Sequence, residues 1–200
     1  MKNFGFSWVD SLVLLLLIVG LVRGRQRGMT QEFLDLLKWP LIIVAAGKLY
    51  EPGGRLLSQF ALFNLLPSYL FAYAVVALAV FISFAFIRRR VGDKLTGSDV
   101  FGRGEYYLGM MAGTIRYGCV ILVGMACLNA RHYSPAEVQA SAKYQQDNFG
   151  SSFFVSLPDV QREVFTASLS GRAAQEHLRV VFIRPTAPGE KVQAAAAPRR

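Results

Sequence analysis

Four long apolar stretches fill the first two thirds of this 200-residue chain. They run from Trp8 to Val22, Phe33 to Tyr50, Leu66 to Ile87 and Tyr107 to Leu128. An α-helix needs roughly 20 consecutive apolar residues to cross the hydrocarbon core of a bilayer. The sequence therefore predicts an all-α integral membrane protein, with a four-transmembrane-helix bundle over residues 1–130 and a small extramembrane tail over residues 131–200.

The composition fits this prediction, and the net charge indicates what kind of partner the protein has. Hydrophobic residues make up 53% of the chain, and the formal net charge is +9. A basic chain can bind nucleic acid, but here the basic residues lie in connections beside apolar stretches, where membrane proteins collect Lys and Arg. We therefore expect the lipid bilayer, and no nucleic acid, to be the partner that this charge reflects.

The basic residues also predict an orientation. They concentrate in the first and third connections: Arg23, Arg25, Arg27, Arg88, Arg89, Arg90, Lys94 and Arg103. With four spans these two connections share one face of the membrane, and the positive-inside rule assigns that face to the cytoplasm. We expect a multi-pass protein of the bacterial inner membrane with both termini outside the cytoplasm.

The second stretch leaves two interpretations open. Asp35 and Lys38 lie near its start, three residues apart, so they can meet on one helix face. Pro40 follows and should kink the helix because it removes a backbone donor. The segment is either a complete span or a re-entrant or interfacial segment. If the segment is re-entrant or interfacial, every connection after it lies on the opposite side of the membrane from the one predicted.

Two charged residues inside the stretches are candidate functional residues. Arg116 lies among apolar neighbours in the fourth stretch, where a charge costs about 2.5–3.5 kcal/mol near the bilayer centre. It should therefore face protein or snorkel, and Asp35 is the expected counter-ion, in a structural bridge or a functional site. Asp10, one turn into the first stretch, either complements the helix dipole or lines a polar path from the outer side.

Small residues on the fourth stretch predict close helix packing. Gly109 and Gly113 have the small-xxx-small spacing that lets transmembrane helices approach closely. The expected partner surface is on the third stretch: Ala72, Ala74, Ala77 and Ala79.

Catalytic and metal-binding patterns are not recognisable in the sequence. There is no nucleophile–base set, paired-carboxylate pocket, phosphate loop or cluster of metal ligands. Cys119 and Cys127 would lie about 12 Å apart along one helix, too far for a disulfide. We predict a protein that is not an enzyme and that binds no metal and no cofactor.

The tail has weaker signals. Ser134 to Glu137 combines the Ser, Pro and Glu of a helix start, and that helix should end near Gln146. Three further segments are predicted: an extended segment from Phe153 to Leu157, a helix from Asp159 to Leu169 that stops near Gly171, and a strand from Leu178 to Ile183. From about residue 185 the Ala- and Pro-rich sequence predicts disorder.

Four short motifs, in order along residues 6–128, resemble those of the colicin V production protein (CvpA) family. They are Trp8-Val9-Asp10, the Arg-Gly repeat of the first connection with the acidic residue after it, the Leu-x-Gly-x-Asp loop, and a Gly-xxx-Gly-xx-Arg run. The matching residues include Asp10, Arg23, Gly24, Gly28, Glu32, Gly97, Asp99, Gly109, Gly113 and Arg116. The chain departs from the pattern at Val100 to Leu108, an apparent insertion, and at Tyr117, where a glycine is usual.

The resemblance implies a non-enzymatic accessory factor of the inner membrane, acting in toxin (colicin V) production or export or in envelope maintenance. Its partners would be other envelope proteins or further copies of itself. The residues themselves leave an alternative open, a subunit of an oligomeric small transporter or channel. Asp10, Asp35 and Arg116 motivate this alternative because charged groups within spans often mark transport pathways.

Overall fold

The computed structural model describes residues 7–59, 64–96, 102–149 and 156–187. Over these residues the chain is helical, and the only β-pairing is an isolated parallel bridge between Arg131 and Thr186. The predicted all-α class is therefore confirmed. The α-helices are α1 (Trp8–Gln59), α2 (Leu65–Thr96), α3 (Glu105–Asn129), α4 (Pro135–Phe149), α5 (Leu157–Arg162) and α6 (Leu169–His177).

Helix α1 is a hairpin whose bend lies at Gly28. There φ is 74° and ψ is 168°, a backbone conformation that is open to glycine and strained for other residues. Val9 and Tyr50 belong to one hydrophobic cluster, although a straight helix would separate them by about 60 Å. The first and second apolar stretches are thus two antiparallel arms, a first arm of residues 8–27 and a second arm of residues 29–59.

Both arms pack on α3 and run in opposite directions along it. On the first arm, Gly20 lies against Gly113, whereas Gly28 lies against Gly109 and Glu105, so this arm is antiparallel to α3. Beyond the bend, the second arm returns along α3 to place Asp35 beside Arg116. The three segments form the centre of the bundle.

Helix α2 packs on the outside of this centre, against the second arm. Near its start the Tyr69 ring meets the Tyr50 ring edge to face, with centroids 5.4 Å apart. Further along, the Phe81 ring lies 4.6 Å from the Lys38 ammonium. Helix α2 is therefore antiparallel to the second arm and carries its arginines to the end of the bundle where Gly28 bends. Both basic connections leave the bundle at this end, which we call the basic end.

The exposed surface of the bundle is apolar, and charged residues lie inside it. Large exposed apolar side chains occur on both arms, α2 and α3: for example Leu15, Ile18, Leu41, Val44, Leu78, Phe86, Met111 and Ile115. Glu32, Asp35 and Arg116 are buried instead. This is the reverse of a water-soluble bundle, because apolar surface of this extent is stable only against lipid or protein.

Two of the four predicted spans are long and apolar enough to cross a membrane by themselves. They are Leu65–Arg90 of α2, with a mean hydropathy of 2.6, and Glu105–Asn129 of α3, with 1.6. In the first arm Asp10 and Arg23 leave residues 11–22 uncharged, which is about 18 Å of helix. In the second arm Lys38 and Lys48 interrupt the apolar sequence, so neither arm has a long uncharged run.

The tail begins as predicted and then departs from the prediction. The start of α4 is a reciprocal capping box, since the Glu137 amide donates to Ser134 Oγ (3.2 Å) and the Ser134 amide donates to Glu137 Oε2 (3.1 Å). The helix predicted from Asp159 to Leu169 is present at about this position, but its second half is π-helical. Helix α5 passes into a π-helical turn at Glu163–Ala167, and Ser168 then caps a separate helix, α6.

We predicted that a helix stops near Gly171. Instead, Gly171 lies in the first turn of α6. A Cβ there would overlap the Val164 carbonyl oxygen, so the glycine is required for packing. The predicted strand is also wrong. Arg179–Val181 form a 3-10 turn. The apolar residues that suggested a strand include Phe182 and Ile183, which are buried against the bundle.

The last described residues of the tail are paired with the bundle. The Thr186 amide donates to the Ala130 carbonyl (2.9 Å), and the His132 amide donates to the Thr186 carbonyl (3.0 Å). Thr186 is buried, so order extends past residue 185, where we expected it to end. Residues 188–200 and most of the predicted extended segment, residues 153–155, lie outside the described residues.

Candidate functional site

The candidate site lies where the first arm and α3 are in backbone contact. A Cβ on Gly24 would overlap the Gly109 carbonyl oxygen, and one on Gly109 would lie 2.5 Å from the Gly24 carbonyl oxygen. Gly113 faces Gly20 in the same way. Helices approach this closely in membranes only where both sides present small residues.

The prediction that α2 supplies the partner surface for Gly109 and Gly113 is therefore wrong. The partner is the first arm, and Ala72 of α2 faces Gly53 of the second arm instead. A signal for this pairing exists in the sequence. Gly20, Gly24 and Gly28 repeat every four residues, which matches the spacing on α3.

Arg116 is held by two carboxylates of the second arm. Its Nη1 atom lies 2.7 Å from Glu32 Oε2 and 3.2 Å from Asp35 Oδ2. The Arg116 side chain is 9% exposed and that of Glu32 is 0% exposed. Asp35 is the partner that the sequence predicted, whereas Glu32, the closer and more deeply buried one, was not recognised as a partner. Its three-residue spacing from Asp35 puts both on one helix face and could have indicated it.

Two more cations extend this network. Lys38 Nζ lies 2.6 Å from Asp35 Oδ1, so the predicted contact between these two residues is present. At the basic end, Arg27 Nη1 lies 3.4 Å from Glu32 Oε1, and its side chain is 45% exposed. Each carboxylate thus lies between two cations. Pairing of this kind is what makes buried charges tolerable, because an unpaired buried charge keeps its full desolvation cost.

The network lies deep along α3. This helix has 25 residues, and Arg116 is near its middle, about 16 Å from its first residue. We call the set Glu32, Asp35, Lys38 and Arg116 the buried charge network. Its two acids and two bases balance, so the centre of the bundle is polar without a net charge.

Asp10 has a different environment at the opposite end of the bundle. Its carboxylate accepts hydrogen bonds from the Ser170 amide (2.9 Å), the Ser170 hydroxyl (2.7 Å) and the Leu169 amide (3.1 Å). It also accepts one from the Ser7 amide of its own helix start (3.1 Å). Asp10 therefore satisfies free N–H groups at the start of α1, as the dipole interpretation predicted, and at the start of α6.

Further contacts hold the tail on this end of the bundle. Ser7 Oγ donates to Glu163 Oε1 (2.6 Å), and Asn129 Nδ2 donates to the Ile183 carbonyl (2.9 Å). The Arg184 amide donates to the Tyr50 hydroxyl (3.1 Å). Together with the buried side chains of the tail, these bonds make residues 156–187 part of the folded bundle. We call this end, opposite the basic end, the tail end.

The remaining predicted residues have separate positions. Arg23 donates to the Tyr117 hydroxyl (3.2 Å). Tyr117, which replaces the glycine usual in the family, thus has a partner on the first arm. Gly97 and Asp99 lie outside the described residues. Among the residues that are described, no group of three or more His, Cys, Asp and Glu side chains is placed to hold a metal.

Comparison with known proteins identifies the family. The model of the family described as colicin V production protein matches residues 9–155. No curated protein and no solved structure matches the chain. The family match includes both arms, α2, α3 and α4, and with them Asp10, the glycine contacts and the buried charge network. The chain therefore belongs to the colicin V production protein family.

Proposed function

We propose that this chain is a non-enzymatic accessory protein of the inner membrane that supports colicin V production, through toxin export or maintenance of the cell envelope. The family match supports a role in toxin production. The observation that carries the rest is the combination of an apolar outer surface with a tail folded onto one end of the bundle. Such a protein presents a fixed surface to partners on one side of a membrane.

In this proposal all four helical segments cross the bilayer. The first arm, residues 8–27, is about 30 Å long, which matches the hydrocarbon thickness. Its apolar side chains, including Leu14 and Ile18, are exposed as lipid contact requires. The charges of both arms are compatible with insertion because Asp10 lies at the tail end and Asp35 is paired inside the bundle.

The proposed orientation follows from the two ends. The basic end carries the arginines of both basic connections and belongs in the cytoplasm. The tail end then lies outside the cytoplasm, where the described tail residues 131–149 and 156–187 can contact other envelope proteins. Because Asp10 links the first arm to α6, partner contacts on the tail are rigidly connected to the membrane bundle.

The alternative, a subunit of an oligomeric transporter or channel, is supported by the buried charge network. Charged groups within a membrane bundle often mark a transport path. Here each carboxylate is already paired with two cations at 2.6 to 3.4 Å. A closed and balanced set of this kind favours a structural role, so we rank this function second.

Site-specific photocrosslinking tests the accessory function. A photoreactive residue at Tyr144, an exposed position of α4, should capture an envelope protein in intact cells. The same residue at Ile82, on the exposed face of α2, is the matched control and should capture lipid only. Crosslinking of Tyr144 variants to further copies of this chain alone would contradict the proposal.

The transporter alternative needs a separate test. Liposomes containing the purified protein should show no ion or solute flux above empty liposomes. Flux that is lost in Arg116→Gln, but retained in Arg89→Gln at the exposed end of α2, would support the transporter over the accessory protein.

A further inference from the structure

An apolar groove lies beside the glycine contact between the first arm and α3. Its volume is about 500 Å³, and it is lined by Leu21, Tyr107, Met110, Met111, Thr114 and Ile115. The hydroxyl of Thr114 donates to the Met110 carbonyl of its own helix (2.9 Å), so it adds no free polar group. From Tyr107 to Ile115 the groove follows α3 for about 12 Å, enough for part of one acyl chain.

Helix spacing places an unpaired cation, Arg25, beyond the lining residues on the basic-end side of this groove. Arg25 is four residues after Leu21, so it continues the same face of the first arm towards the basic end. Its neighbours are engaged, since Arg23 bonds Tyr117 and Arg27 pairs with Glu32. Arg25 is exposed and has no ion pair or hydrogen bond within the described part of the chain. Its guanidinium is therefore available to an external anion.

We infer that this groove binds one anionic phospholipid, with an acyl chain along α3 and the phosphate on Arg25. Arginine suits this ligand because its fork of N–H groups matches phosphate oxygens. The exposed phenol of Tyr107 lies at the same end and can donate to the phosphate or glycerol oxygens.

The charge pattern favours a lipid over a protein segment as the occupant. The groove is apolar along its length and has a free cation at one end only. A phospholipid has the matching arrangement, with apolar acyl chains and a phosphate at one end. The leaflet at the basic end is also where anionic lipids meet basic residues in the proposed orientation. The inference rests on the proposed placement in the bilayer and adds a ligand to it.

Native mass spectrometry of the full-length protein in detergent tests the inference. The probes are phosphatidylglycerol and phosphatidylcholine with identical acyl chains. We expect the protein to retain one phosphatidylglycerol, and phosphatidylcholine roughly fivefold more weakly, the effect of one arginine near an anionic lipid. Arg25→Gln should lower retention of phosphatidylglycerol to the level of phosphatidylcholine. Arg89→Gln, which removes the same charge from α2, should leave retention unchanged.

A second variant tests the groove itself. Met111→Trp should fill it and lower retention of both lipids, while the helical circular dichroism and melting temperature stay those of the wild type. Equal retention of the two lipids, or equal losses in Arg25→Gln and Arg89→Gln, would overturn the inference. A Met111→Trp variant that instead shifts a monomer–dimer equilibrium would assign the groove to a second copy and also overturn it.

These outcomes are separable from failure of the proposed membrane placement. If the lipid site is absent but the placement is right, the protein still sediments with membranes after alkaline carbonate extraction. If the placement itself is wrong, the protein is released by carbonate whatever it retains in detergent.

Discussion

The hairpin of α1 and helix α2 represent two different ways in which a chain can be compatible with lipid. Helix α2 is apolar around its circumference, and most of its described surface is exposed. The two arms of α1 contain charges, glycines and Pro40, yet they form the centre of the bundle. In α2 hydropathy accounts for most of the structure, whereas in α1 the acids Asp10, Glu32 and Asp35 and the glycines of the first arm contact α3 or the tail.

Substitutions should therefore change the stability of the protein more in the hairpin than in α2. A residue of α2 that faces outward contacts no other described segment of the protein, so another apolar residue can replace it. A residue of the hairpin interior meets a specific atom of another segment, so its replacement leaves a clash or an unpaired charge.

Removal of Arg116 should be the most damaging change. Arg116→Ala leaves Glu32 buried with only the half-exposed Arg27 as a partner, and breaking a buried ion pair in this way costs about 3–5 kcal/mol. Unfolding of purified protein by a denaturing detergent, followed by circular dichroism, measures the loss. Arg89→Ala, at an exposed position of α2, is the control and should change stability by less than about 0.5 kcal/mol.

The same unfolding assay can show whether stability depends on the pairing of the buried charges or only on their presence. The double variant Glu32→Gln with Arg116→Gln should be more stable than Arg116→Ala, because no uncompensated charge then remains and Asp35 keeps Lys38. If Arg116→Ala and Arg89→Ala have the same effect, the hairpin interior is not held together by these ion pairs.

A single methyl group at the helix contact should have the next largest effect. In Gly24→Ala the new Cβ would overlap the Gly109 carbonyl oxygen, and overpacking of this kind costs about 1–3 kcal/mol. Gly124→Ala is a matched control on α3, since nothing lies within 4 Å of a Cβ there. Detergent unfolding should show a lower stability for the first variant only. A comparable decrease in both would mean that the first arm does not approach α3 as described.

Asp10→Ala should loosen the tail without unfolding the bundle. The amides of Leu169 and Ser170 lose their acceptor, and the loss of a helix cap costs about 1–2 kcal/mol. Hydrogen exchange of the α6 backbone should become roughly 5- to 30-fold faster, the ratio that corresponds to this energy. Asp147→Ala on the exposed face of α4 should leave this exchange unchanged. Unaltered protection of α6 in Asp10→Ala would show that the tail is held without this carboxylate.

An outward change on α2 should have the smallest effect. Ala79 is exposed, so Ala79→Leu should alter stability by less than about 0.5 kcal/mol. The reverse result, a loss as large as that of Gly24→Ala, would show that this face of α2 packs against protein, such as a second copy of the chain.

The sequence predicted well what depends on local composition. Hydropathy gave the approximate bounds of four apolar helical segments, and the spacing of Asp35, Lys38 and Arg116 gave part of the buried charge network. The capping box at Ser134 was recognisable because its residues contact each other within one turn. In the helices and the capping box the determining interactions lie close together in the sequence or follow from one dominant property. Asp35 and Arg116, 81 positions apart, could be paired because each is a charge in an otherwise apolar segment.

What depends on distant residues was not predictable in the same way. Which helix faces Gly109 depends on how the hairpin bends at Gly28, and the four-residue repeat of glycines on the first arm is the one sequence pattern that indicates it. The four bonds accepted by Asp10 come partly from residues about 160 positions away. The apolar residues from Leu178 to Ile183 suggested a strand, since burial against a bundle and burial in a sheet favour the same residue types.

The proposed topology requires both arms to cross the membrane, and the accessibility of single cysteines measures whether they do. In a Cys119→Ala, Cys127→Ala background, single cysteines would replace Gln26, Gln59, Arg89 and Tyr144, all of which are exposed. We expect a membrane-impermeant maleimide to label positions 59 and 144 in intact spheroplasts, and positions 26 and 89 only after the membrane is permeabilised. Labelling of positions 26 and 59 from the same side would contradict the account, because the second arm would then not cross.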